Sequence, residues 1–157
     1  MYLRRNRNDV LHIEIIPNKN IVTQKYLNDL TYEVIGAAIT VHKTMGRGLL
    51  ESIYHHCLME ELEYKKINFK TELKIPITYR NKQLNLDFRC DLFVEDCLVL
   101  ELKSVQETQS VFEAQLLTYM KLLKAPKGVL INFNCNNIFK EGQKTLVNEY
   151  FELLPKI

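Results

Sequence analysis

A chain of 157 residues with 46% apolar and 25% charged residues is of single-domain size and ordinary soluble globular composition, with enough apolar material to bury a core. Its formal net charge of +2 is too small to announce a nucleic-acid partner, although a local basic patch stays open, and no stretch approaches the roughly 18 unbroken apolar residues of a membrane span. Cys57, Cys90, Cys97 and Cys135 are scattered without the C-x-x-C spacing of a zinc or redox site, and the opening MYLRRNRND lacks an apolar run of signal-peptide length, so a cytoplasmic protein with packed thiols and no membrane partner is expected.

Residues 1–28 read as a peripheral arm, with VLHIEII at 10–16 as a short edge strand between polar flanks, and residues 29–157 as the domain proper. Leu30, Val34, Ala38, Val41 and Met45 fall at helical spacing and predict a helix over 29–45. The GRG at 46–48 breaks it, since glycine past a helix end accepts the left-handed conformation. A second helix follows to residue 64, with Leu50, Ile53, Tyr54, Cys57, Leu58 and Leu62 expected inside. Three strands come next as an antiparallel meander: INFKTELKIPITYR at 67–80, QLNLDFRCDLFVE at 83–95 and CLVLELKS at 97–104, with a turn at 81–82 and a tight corner near Asp96. An amphipathic helix over 108–123, a strand GVLINF at 128–133 and a terminal helix over 143–154 complete the order ααβββαβα, an α/β fold with a mixed sheet.

Strand alternation places Asp87, Arg89 and Asp91 on one face and Phe88, Cys90, Leu92 and Val94 nearer the other; in the next strand Glu101 and Lys103 oppose Leu100 and Leu102. Antiparallel neighbours could then bring Asp91 beside Glu101 and Lys103. Paired carboxylates raise one another's pKa unless a cation lies between them, and a hard divalent ion suits oxygen ligands. The plainer alternative is an ion pair of Lys103 with Asp91 or Glu101 at the rim of the sheet. On the third helix, Gln115 and Tyr119 lie one turn apart within the stripe Phe112, Gln115, Leu116, Tyr119 and Leu123, where a buried amide needs partners. On the second, Glu51 and Tyr54 sit beside the apolar stripe. His55 and His56 point about 100° apart and cannot chelate one ion together.

GLLESIYHHCLMEEL at 48–62 resembles the G-x-x-E-x-x-Y signature, here Gly48, Glu51 and Tyr54, of a bacterial and archaeal family within the PD-(D/E)XK nuclease superfamily. The superfamily's core is similar too, with an acid on one hairpin strand, Asp91, and E-x-K on the next, Glu101, Leu102 and Lys103. Q-x-x-x-Y on the following helix, Gln115 and Tyr119, is similar to its exonuclease-like branch. The resemblance covers about residues 29–140. It departs in the missing proline, since Cys90 precedes Asp91, and in NCNNIFKEG after the last strand, where a basic ending is expected.

The resemblance implies a restriction-endonuclease-like core and hydrolysis of phosphodiester bonds in nucleic acid, DNA ahead of RNA. It implies that Asp91, Glu101 and the Leu102 carbonyl, with Glu51, hold Mg²⁺ or Mn²⁺. Lys103 would orient the attacking water or stabilise developing charge. Gln115 would position substrate or water, Tyr119 would brace its helix or touch the nucleic-acid backbone, and Tyr54 would pack Glu51 into place. The alternative is a non-catalytic binding module, for nucleic acid or a protein, on the same scaffold.

Overall fold

The computed structural model describes residues 21–157. The predicted strand at 10–16 lies outside the described residues. Helix α1, Gln24–Met45, begins earlier than residue 29 because Thr23 caps it, its hydroxyl accepting from the Tyr26 N–H at 3.0 Å. It buries Leu27, Leu30, Val34, Ala37, Ala38 and Val41, and closes at Gly46 with φ 76°. Met45, predicted inside, is largely exposed. Helix α2, Glu51–Tyr64, buries Tyr54, Leu58 and Leu62. Leu50 and Ile53 were expected inside and instead face solvent, and Cys57 is half-buried. Leu50 is the extended cap residue, so it never joins the helical stripe, and the i, i+4 spacing of Tyr54, Leu58 and Leu62 makes that stripe a narrow one.

Strands β1 (Phe69–Lys74), β4 (Arg89–Val94), β5 (Leu98–Lys103), β6 (Lys127–Asn132) and β7 (Gln143–Val147) form a mixed sheet in the order β1-β4-β5-β6-β7, with only β5 and β6 parallel. The crossover between them is helix α3, Ser110–Leu123. α1 and α2 cover one face of the sheet and α3 the other. α3 lies directly on β6: a Cβ at Gly128 would meet Leu116 and Met120 at 2.8 Å.

Each of the first two predicted strands divides. Ile75 and Pro76 end β1, and β2 (Ile77–Tyr79) pairs instead with β3 (Lys82–Leu84) as a separate hairpin. Its turn residues Arg80 and Asn81 take φ of 49° and 60°, the left-handed pair that matches the twist of a two-residue hairpin.

The predicted terminal helix over 143–154 is largely replaced by strand. β7 takes Gln143–Val147, after a single π-helical turn, Ile138–Gly142, and only Glu149–Glu152 (α4) is helical. All six residues of β6 are buried, so its outer edge needs a main-chain partner, and that demand overrides the helical spacing of the sequence.

A second correction concerns alternation. Cys90 was expected to share a face with Leu92, yet Leu92 and Val94 pack toward α1 and α2 while Cys90 packs toward α3. β1 changes face at the same level, from Phe69 to Leu73, through Glu72 at φ 47°. Regular pairing of β4 with β5 stops at Leu92 opposite Leu100.

Candidate active site

Beyond that last pair the Asp91 side chain replaces the ladder, its Oδ2 accepting from the Leu102 N–H at 2.7 Å. Asp91 therefore ends the β4–β5 pairing and stays on the same level as the end of β5. There Glu101 is 3% exposed, within hydrogen-bonding contact of Asp91, and its Oε2 is buried with no hydrogen-bond partner. Burial pushes the Glu101 carboxyl up to about 10, helped by the hydrogen bond and charge of Asp91 and by Glu51, and opposed by Lys103.

Glu51 opens α2 on the same neighbourhood: burial raises its pKa, Lys103 opposes the rise and Asp91 adds to it. The loop that carries Glu51 is held from two sides. Tyr54 donates its hydroxyl to the Gly46 carbonyl at 2.7 Å and accepts from the Leu49 N–H at 3.1 Å, while its ring stacks on Phe133 at 4.5 Å. Ser104, the residue after β5, donates to the Leu49 carbonyl at 2.6 Å. The start of α2 is thus tied to the end of β5, and Gly48 allows the path with φ 89°.

Lys103 forms no ion pair among the described residues; its Nζ rests 4.9 Å from the centre of the Phe112 ring. The rim salt bridge that would make these charges purely structural is not formed. Gln115 donates to the Tyr119 hydroxyl at 2.7 Å, which answers the expectation that this amide needs a partner. Burial and the Glu101 charge push the Tyr119 phenol up to about 12, against the pull of Gln115. Asp91, Lys103 and Glu51 thus act on the charge of Glu101, Asp91 and Lys103 on that of Glu51, and Glu101 and Asp91 on Tyr119, to which Gln115 is hydrogen-bonded. Among the described residues no three His, Cys, Asp or Glu side chains close into a preformed cage.

The histidines are engaged separately, His55 with the Thr71 hydroxyl and His56 with the Ser52 carbonyl. All four cysteines are free thiols. Asn132 was not singled out from the sequence. It lies buried opposite Lys103 in the parallel register, donates to the Val105 carbonyl at 2.9 Å and accepts from the Val105 N–H at 3.1 Å, so it clasps the chain leaving the site. An amide closing the apolar run GVLIN was the available signal, the same one that drew attention to Gln115.

A family model described as the PD-(D/E)XK nuclease superfamily matches residues 28–145, a span that contains every candidate site residue. The chain belongs to the PD-(D/E)XK nuclease superfamily. Members of this superfamily are usually nucleases that act on nucleic acid and typically use divalent metal ions, so membership points to a nuclease-type function. No curated protein and no solved structure matches the chain. No helix among the described residues is long and apolar enough to cross a membrane.

Proposed function

We propose that this PD-(D/E)XK chain hydrolyses phosphodiester bonds, with DNA ahead of RNA as substrate, using Mg²⁺ or Mn²⁺ held by Asp91, Glu101, the Leu102 carbonyl and Glu51. The observation that carries this reading is the buried, partnerless Oε2 of Glu101 in contact with a second carboxylate. Burying such an oxygen without a donor is expensive, and a bound cation would remove the expense. The donor set is all oxygen, which suits Mg²⁺ or Mn²⁺ better than zinc. When bound, the ion supplies Lewis acidity toward a phosphoryl oxygen and lowers the pKa of water.

The chain's own residues do the rest. Lys103, free of any carboxylate partner and resting beside Phe112, brings an ammonium to the attacking water and to the negative charge that develops on phosphorus oxygens. Gln115 spends its amide N–H on Tyr119 and keeps its carbonyl oxygen for water or substrate. Tyr119 braces that helix. Tyr54 fixes the loop from which Glu51 reaches the cluster, and Gly48, Glu51 and Tyr54 together support a place within the GxxExxY branch.

Incubation with single- and double-stranded DNA and RNA, in Mg²⁺, Mn²⁺ or chelator, tests the reading. Cleavage that requires the metal and disappears in Glu101→Gln is the expected result. Metal-independent cleavage would overturn the metal site, and no cleavage of any substrate would overturn the reading in favour of a non-catalytic binding module.

A further inference from the structure

The β2–β3 hairpin has no role in the chemistry above, yet it leaves the sheet at the site. Its base is pinned on the α3 side. The Ile75 N–H donates to the Phe88 carbonyl at 2.8 Å, Ile75 is buried in the α3-facing cluster, and the Phe88 ring lies 4.7 Å from the ring of Tyr119, the partner of Gln115. Asp91 follows Phe88 by three residues, a span of at most about 11 Å. Beyond this base neither hairpin strand packs substantially on any other element. Three-residue strands project the turn by roughly 10 Å.

The outer part of the hairpin is unusual for a surface ribbon. Tyr79 is 65% exposed, and the Arg80 guanidinium carbon stands 5.9 Å from its ring centre. Arg80 and Lys82 are exposed and form no ion pair among the described residues, whereas the nearby acids Asp87 and Glu72 are both engaged by Arg89. The tip therefore presents two uncompensated cations around an open aromatic ring. A bare two-stranded ribbon gains little by itself from such residues, because most of the ring stays open to solvent and no acid among the described residues neutralises the charges.

We infer that this hairpin is a substrate-gripping arm for single-stranded nucleic acid: Tyr79 stacks on an unpaired base, and Arg80 and Lys82 bind the flanking phosphates. The inference rests on the nuclease reading in taking nucleic acid as the ligand. Interleaved aromatic and basic side chains suit a single strand, whose bases expose a π-face, better than a duplex, whose bases are already stacked. The base of the arm reaches Tyr119, the partner of Gln115, through Phe88 and lies three residues from Asp91, so a strand held on the arm is led toward the acidic cluster.

Fluorescence anisotropy with a labelled oligothymidylate and with a blunt duplex, in chelator and over a range of salt, tests the arm without cleavage. Tyr79→Ala is expected to weaken single-strand binding roughly ten-fold and to leave duplex binding unchanged. Arg80→Ala with Lys82→Ala is expected to flatten the slope of log affinity against log salt by about 1.4 for the single strand. Unchanged slope and affinity, equal losses on duplex and single strand, or no binding of oligothymidylate by the wild type would each overturn it. Cleavage in Mn²⁺ is read separately: cleavage with an inert hairpin removes only the arm, and hairpin-dependent binding without cleavage removes only the nuclease.

Discussion

The β4–β5 hairpin carries a pair of acidic residues at each end, and the two pairs are treated in opposite ways. At the turn, Glu95 and Asp96 take φ of 48° and 53°, Glu95 accepts from both the main-chain and side-chain N–H groups of Asn68, and Asp96 pairs with Lys70 in water. At the other end, a buried Glu101 meets a half-buried Asp91, and one Glu101 oxygen has no hydrogen-bond partner. Acids that serve only the fold are hydrated or paired. An acid left buried and unpaired is kept at a cost in stability, and such a cost is the mark of a functional-site candidate.

Substitutions at the site end should produce the largest effects. Glu101→Gln and Lys103→Ala should each reduce cleavage by about 100- to 1,000-fold, for different reasons. Calorimetric titration with Mn²⁺ separates them: affinity collapses in Glu101→Gln and holds or rises in Lys103→Ala, where a nearby positive charge has gone. Equal affinity in wild type and Glu101→Gln would erase the contrast between the two ends.

Protons sharpen the contrast further. With its pKa raised from 4.5 to about 10, Glu101 keeps its proton when folded and loses it when unfolded throughout that interval. The folded state binds more protons there, so stability in chelator should be greatest near pH 4.5 and fall as pH rises toward 10. Glu101→Gln, which carries a permanent donor toward Asp91, should lose this slope and be about 1–3 kcal/mol more stable near pH 8 in denaturant titrations. Mn²⁺ affinity of the wild type should climb by roughly ten-fold per pH unit in the same interval as one proton is displaced. A flat profile would mean that Glu101 is already ionised.

Smaller effects follow from the supports. Tyr54→Phe keeps the stack on Phe133 but removes the hydrogen bonds to Gly46 and Leu49, at a cost of about 1–2 kcal/mol, and should lower kcat through Glu51. Unchanged turnover at reduced stability would make Tyr54 a support of the fold alone. Smallest of all, Glu95→Gln and Asp96→Asn should shift stability by no more than about 1 kcal/mol and leave cleavage untouched, since exposed pairs contribute little and asparagine tolerates left-handed backbone. A large loss of activity from either would place the turn in the functional unit.

Much of this was legible in the residues. The helical stripe of α1, the β-turn near Asp96, the mixed sheet and the antiparallel pairing of the strands that carry Asp91 and Glu101 follow from periodicity and spacing that act within one element or between neighbours. What escaped was decided by distant partners. Gln143–Val147 became a strand because β6 lacked a neighbour, and Cys90 changed face because Asp91 took over the hydrogen bond of Leu102. Leu50 faces out because it caps α2 and stands outside the helix. Asn132 was readable by the buried-amide rule applied to Gln115, but its partner Val105 could be known only from the fold.

The topology of β4, β5 and β6 also orders events in time. The hairpin of β4 and β5 closes through a three-residue turn, an event of microseconds, whereas β6 reaches β5 only after the whole of α3 has been threaded across the sheet. Asp91 and Glu101 therefore meet early, while water still surrounds them, and the expulsion of that water comes in the slow final docking of α3 and β6. Proton uptake by Glu101 belongs to this last step, so refolding in chelator should slow as pH rises, and stopped-flow mixing across that range would follow the nascent site shedding its water.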